Sequence, residues 1–256
     1  MQLKATTQTA IRPGGQPPTG SGAALASPGV VAWRTRHLVT GLAFAGLVLV
    51  GLTVVASQAD PNAIDLGATR WLQQFQDPLF ATLMTWVSWP GFAPQTWVMP
   101  VVVAAPFALF RLWPEVLWIL STQVASLVAV EIKDFVHRAR PSPELVRVFR
   151  PLDSPSFPSG HVVQYAVLFG FTFFLVYVLV RRSTMRTSAL LLLAAPIVLV
   201  GLSRMYLGQH WLSDVLGGYA VAAMMLIPWC WAYAKWRLAA TRGRFSSPGS
   251  TERKEM

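Results

Sequence analysis

Long apolar runs separated by short polar islands set the pattern of this chain. Residues 38–57 carry no charge over twenty positions. At 1.5 Å per residue a helix of that length spans roughly 30 Å, the thickness of a bilayer core. Further apolar runs cover about 93–110, 114–132, 161–180, 187–203 and 211–234, and each of these five is followed directly by a basic residue: Arg111, Lys133, Arg181, Arg204 and Lys235. The expected fold is all-α, a polytopic membrane bundle of six transmembrane helices. Pro94, Pro100 and Pro106 make the second run the weakest helix, because each removes a helix hydrogen bond. Residues 58–91 are mixed. Trp71, Phe75, Leu79, Phe80, Met84 and Trp86 among Gln73, Gln74 and Asp77 fit either an amphipathic helix in the interface or a packed loop with one short helix.

The ends read differently. Residues 1–33 are rich in Gly, Pro, Ser, Thr and Ala, and 241–256 resemble them, so both are expected to be disordered tails around a membrane domain at 34–240. The first run competes with a signal-peptide reading, since Arg34 and Arg36 precede it and Ser57-Gln58-Ala59 resembles a cleavage site. Its twenty-residue apolar core is long for a signal peptide, which favours a retained span.

Composition agrees with the pattern. Of 256 residues 54% are hydrophobic and 12% charged, about half the charge of an ordinary soluble domain. The net charge of +10 would suggest nucleic acid in a soluble protein. Here the charges flank the spans instead, so no nucleic-acid partner is expected. A single cysteine, Cys230, excludes a disulfide framework. Arg34, Arg36, Arg111, Arg181, Arg182, Arg186, Lys235, Arg237, Arg242 and Arg244 would share one side, which the positive-inside rule makes cytoplasmic. The opposite side is nearly free of basic residues except in 134–160, where Arg138, Arg140, Arg147 and Arg150 cluster. Clustered cations on an exported side need a reason.

Three polar islands fall at span ends on that side. In the first, a continuing helix would put Lys133, His137 and Arg140 on one face, with Asp134 and Arg138 as an i, i+4 ion pair and Pro141 as the stop. Two cations on one face suit a multivalent anion, although a snorkelling basic cluster at a membrane boundary reads the same way. The second, 156–161, leads into an apolar helix. Ser159 fits an N-cap and Gly160 a close backbone approach, so free amides at the helix start would bind an anion beside His161. An ordinary cap with an interfacial histidine is the plainer alternative. The third holds Arg204, Gly208 at a tight turn, and His210 with Asp214 at i, i+4. The aspartate can fix one ring nitrogen and leave the other as nucleophile or base, or the pair can simply join two helices. Three cations, two histidines, a carboxylate and a helix N-terminus on one face match phosphoryl transfer, where positioning and charge neutralisation supply most of the catalysis.

These islands resemble the signature of the type 2 phosphatidic acid phosphatase superfamily, K-x6-R-P, P-S-G-H and S-R-x5-H-x3-D. The sequence has Lys133-x6-Arg140-Pro141, Pro158-Ser159-Gly160-His161 and Ser203-Arg204-x5-His210-x3-Asp214, with no departure. The resemblance implies that His210 attacks phosphorus to form a phosphohistidine and that Asp214 orients it. His161 would protonate the leaving oxygen and then activate water. Lys133, Arg140 and Arg204 would hold the phosphate oxygens, with Ser159 and the Gly160 amide. No metal or other cofactor is expected, since the cations do the work of a metal ion. His137 lies outside the signature and reads as a solvated residue or a substrate contact.

The expected function is a lipid phosphate phosphatase of the bacterial cytoplasmic membrane, with its site on the outer face and membrane lipids around it. Candidate substrates are undecaprenyl pyrophosphate, phosphatidic acid, phosphatidylglycerol phosphate and diacylglycerol pyrophosphate. A lipid phosphotransferase would share the histidine chemistry. A vanadium haloperoxidase would share the site, but six spans count against it. A non-enzymatic anion channel or transporter would use the basic cluster as a selectivity site. The oligomeric state has no signal in the sequence.

Overall fold

The computed structural model describes residues 28–58 and 61–245, with side chains from 37 to 240. Residues 1–40 and 41–256 form two units, and the described part of the first, 28–40, is helical. The expected tails lie mostly outside the described residues, and their inner edges, 28–33 and 241–245, are helical. Among the described residues there are nine α-helices and no strand: α1 (Pro28–Ala56), α2 (Ala63–Leu72), α3 (Pro78–Ser88), α4 (Gln95–Leu109), α5 (Trp113–Ser121), α6 (Val124–Val136), α7 (Gly160–Leu179), α8 (Thr184–Tyr206) and α9 (Leu212–Phe245).

Five stretches are long and apolar enough to cross a membrane: His37–Ala56, Trp113–Val136, Gly160–Leu179, Thr184–Tyr206 and Leu212–Ala240. The sixth span is broken. Helix α4 has 15 residues, about 22 Å, which is short of a bilayer core. Together with α3 it qualifies, but the two are bent by 87° around a single 3₁₀ turn, Trp89–Gly91. Pro90 and Pro94 sit at that elbow and deny the helix its hydrogen bonds there. The segment 58–91 is thus two α-helices and that turn, with α3 held on the end of α8 by Ser203 Oγ donating to the Met84 carbonyl (2.5 Å) and the α2–α3 connection held by Tyr206 Oη donating to the Phe75 carbonyl (3.0 Å).

Helix α7 is the hub, buried along Val162–Leu168 and packed against α8 and α9. The span α5–α6 is interrupted at Thr122–Gln123, and apolar surroundings offer no water to the polar groups there. A buried cluster serves instead: Gln123 donates to the Thr96 carbonyl (3.1 Å), and Gln164 donates to the same carbonyl (2.8 Å) and to Gln123 Oε1 (3.3 Å). By contrast Phe44, Leu47, Val50 and Val54 of α1 are exposed, as expected of a lipid-facing helix. At the end of the bundle remote from the three polar islands, Glu115 accepts from Tyr233 Oη (2.9 Å) and Arg237 (2.8 Å), joining α5 to α9.

Candidate active site

The three islands meet at one end of α6, α7, α8 and α9. The first does not continue as helix. His137 adopts a left-handed conformation (φ 51°) and ends α6, with its amide donating to the Lys133 carbonyl (3.0 Å). The expected single helical face of Lys133, His137 and Arg140 is therefore absent, and His137 is exposed. The expected Asp134–Arg138 pair is absent too. Arg138 turns inward and is buried, donating to Asp214 Oδ1 (2.6 Å), Ser213 Oγ (2.6 Å) and Asp65 Oδ2 (2.7 Å). Two buried carboxylates attract a guanidinium more strongly than one exposed aspartate does, and the chain leaves the helix to deliver it.

Lys133 and Arg140 still converge, by loop rather than by helix. Lys133 Nζ reaches the Pro155 carbonyl (2.6 Å). Arg140 binds the carbonyls of Ser154 and Gln209 (2.6 Å each) and lies with Nη1 3.2 Å from His210 Nε2. A guanidinium N–H only donates, so Nε2 carries the lone pair and the ring proton sits on Nδ1. That nitrogen faces Asp214 Oδ2 (3.5 Å) and Ser156 Oγ (3.4 Å), and Ser156 Oγ donates to the same carboxylate oxygen (2.5 Å). The backbone amide of Trp211 also donates to Oδ2 (2.8 Å). His210 and Asp214 are 1% and 0% exposed. Burial, with the cations Arg140, Arg204 and Lys133 nearby, pushes the His210 imidazole well below its ordinary range and keeps it neutral. Gly208 makes the turn before it at φ 63°, where a side chain would strike the Arg147 carbonyl.

Ser159 stands at the N-cap of α7, but its hydroxyl makes no cap bond and has no protein partner. The first-turn amides of α7 thus lack a side-chain cap, as an anion site requires. A Cβ on Gly160 would lie 3.7 Å from Lys133 Cε, an ordinary contact, so the start of α7 and the Lys133 side chain are direct neighbours. His161 Nε2 is buried without a partner, and so is Arg204 Nε. Arg204 is fully buried and donates to Ser88 Oγ (2.5 Å). The ring of Phe92 holds both: the Arg204 guanidinium lies 5.2 Å from its centre, and the His161 ring meets it edge-on at 4.6 Å.

Sequence reasoning missed Asp65, Ser88, Gly91, Phe92 and Ser156, and misassigned Arg138. Pro141 was a usable warning, since it disfavours helix at Arg140. Pro90 and Pro94 marked a bend, but no local signal tied Ser88, Gly91 or Phe92 to the site. A Cβ on Gly91 would overlap the His161 ring. Gly91→Ala is expected to displace that ring by about 1 Å and lower kcat roughly 100-fold with little change in KM, measured by steady-state phosphate release.

Unpartnered polar atoms of Ser159, His161 and Arg204 lie with three cations around a neutral histidine, an arrangement whose geometry and charge suit a tetrahedral anion. A family model for the PAP2 superfamily matches residues 34–239. The chain belongs to the PAP2 superfamily. This PAP2 chain is therefore an integral membrane enzyme of the lipid phosphatase class. It is 28% identical over 182 residues to phosphatidylglycerophosphatase B of Bacillus subtilis, covering 67% of this chain and 86% of that one. In fold it is similar to the crystal structure of the PAP2-type phosphatidylglycerolphosphate phosphatase from Bacillus subtilis (TM-score 0.63, 24% identity, 75% of this chain and 96% of that one). It is also similar in fold to LpxE of Aquifex aeolicus (TM-score 0.51, 23% identity, 67% and 97%).

Proposed function

We propose that the chain hydrolyses a lipid phosphate or pyrophosphate through a phosphohistidine on His210. The observation that carries this is the His210 Nε2 lone pair facing Arg140, with the ring proton directed to Asp214 and Ser156. Lys133, Arg140 and Arg204 would neutralise the phosphate, with Ser159 Oγ and the Gly160 amide completing its cradle. Nε2 then attacks phosphorus, and the P–O bond to the leaving group breaks. His161 gives its proton to the departing oxygen. It next takes a proton from water as water attacks the phosphohistidine, which frees phosphate and restores His210.

A lipid rather than a soluble phosphate is supported by a cavity of about 630 Å³ whose lining is almost wholly apolar. Tyr165 and Phe169 line it, one and two turns along α7 from His161, and Val98 and Val102 of α4 face them. A hydrocarbon chain lying there would bring its headgroup to His161. Filling the cavity with Val98→Trp is expected to raise KM for a long-chain lipid phosphate about tenfold by displacing two methylenes. Hydrolysis of a water-soluble phosphate should be unchanged, so an equal rise for both would reject the chain site.

Among substrates we place phosphatidylglycerol phosphate first, on the name of the Bacillus subtilis relative, ahead of phosphatidic acid and undecaprenyl pyrophosphate. The outer face of the cytoplasmic membrane is the proposed side of the site. The supporting feature is the set Arg111, Arg181, Arg182, Arg186 and Lys235 flanking the spans at the other end. The test is phosphate release by detergent-purified protein, with a chelator present, from a panel of these lipids. Chelator-resistant release identifies the substrate by rank order. Loss of lipid phosphate that appears only when an acceptor alcohol is added, with the phosphoryl group recovered on that alcohol, would reassign the enzyme as a phosphotransferase.

A further inference from the structure

Beside the phosphate cradle lies a second charged cluster that the phosphohistidine cycle leaves unused. Asp65 comes from α2, far from the signature motifs, and is buried. It accepts from Asn62 Nδ2 (2.9 Å), the Ser213 amide (2.8 Å), Ser213 Oγ (2.6 Å) and Arg138 Nη2 (2.7 Å). Arg138 uses its other terminal nitrogen on Asp214 Oδ1 (2.6 Å). The two oxygens of Asp214 are thereby divided: Oδ2 serves the His210 side and Oδ1 serves the arginine.

We propose that Arg138 and Asp65 are positioning residues that set how much negative charge Asp214 presents to His210. This inference rests on the catalytic reading of His210 given above. Arg138 shared between two carboxylates draws on each only in part. Neutralising Asp65 would leave the whole guanidinium charge on Asp214, weakening its support of a charge on His210. Removing the guanidinium would do the reverse. The charged groups that face His210 come from every neighbouring element: Lys133 from α6, Arg140 from the loop after it, His161 from α7, Arg204 from α8 and Asp214 from α9. Lys133, Arg140 and Arg204 are common to all the variants, so the Asp65–Arg138 pair can be varied against a constant background.

The proposal therefore makes two opposite predictions. In full-length protein in detergent with ring-labelled histidine, the His210 resonance is assigned by its loss in His210→Ala. Its titration midpoint should move down in Asp65→Asn and up in Arg138→Gln relative to wild type. Arg138→Lys, which keeps the charge, should fall between Arg138→Gln and wild type, and it substitutes if Arg138→Gln fails to fold. Where lipid phosphate is hydrolysed, kcat should fall roughly 10–100-fold in Asp65→Asn with KM within about twofold. A midpoint unmoved in Asp65→Asn and in the arginine variant, or moved the same way in both, would overturn the proposal and leave the cluster a strut between α2 and α9. The titration is read without substrate, so inactivity of the wild type would reject the proposed function while this measurement still decides the inference.

Discussion

His210→Ala is expected to abolish phosphate release, with a loss of at least about 10⁴-fold in kcat. No other side chain can take over the bond to phosphorus, because Arg140 is a donor only and the second histidine, His161, approaches from the Phe92 side. A labelled headgroup phosphate, mixed with wild-type protein and quenched in alkali, should leave label on the chain. The His210→Ala protein should retain none. Label retained by that variant would move the nucleophile elsewhere. The same residue sets the acid limb of the pH profile. His210 must be neutral to attack, and burial among cations lowers its proton affinity, so kcat/KM of the wild type should hold down to well below pH 6.5. The alkaline limb should follow the proton that His161 must donate. An acid-side fall centred at or above the ordinary imidazole value would contradict the neutral His210 described above.

The second large effect is expected from Asp214→Asn, which preserves size but not charge. The aspartate accepts from Ser156, Trp211 and Arg138 and faces His210 Nδ1. An amide in its place can turn only one acceptor towards this crowd of donors. Presenting its NH₂ to Nδ1 would force the ring proton onto Nε2, where it meets the donor-only Arg140. The wrong tautomer cannot attack, and the imidazolium-like intermediate loses its counter-charge. A kcat loss on the order of 10³–10⁴-fold is expected, as in a serine-protease triad given the same change. On the proposed mechanism substrate affinity would rest on Lys133, Arg140 and Arg204, so it should change little. Binding of vanadate or another tetrahedral oxyanion reads that affinity separately from turnover. Equal losses in kcat and oxyanion binding would assign Asp214 to holding the site together rather than to the chemical step.

The sequence carried the spans because a bilayer imposes one-dimensional rules: about twenty apolar residues, with cations at one end. It also carried the proposed nucleophile and acid, the three cations and the α7 N-terminus that the fold brings together, since each lies within a short motif whose spacing has chemical meaning. His210 and Asp214 do lie within ion-pair distance (3.5 Å), as their i, i+4 spacing led one to expect. The failures share a cause. Helical spacing assigned Arg138 to Asp134, yet its carboxylates are 73 and 76 positions away along the chain. No periodicity reports contacts of that range. The role of the elbow at Trp89–Gly91 was equally hidden, because its glycine matters only through the ring of His161 brought against it by folding.

The sequence by itself determined that this is an all-helical membrane enzyme and which side chains are candidates to meet a phosphate. Local pattern suffices for both, because bilayer thickness and motif spacing act over a few turns. Only the tertiary structure decided which tautomer His210 holds, what fixes Asp214, and where an apolar chain can lie. Each of those depends on groups from separate helices that desolvation forces to find one another, and a buried charge accepts whichever partner the packing delivers.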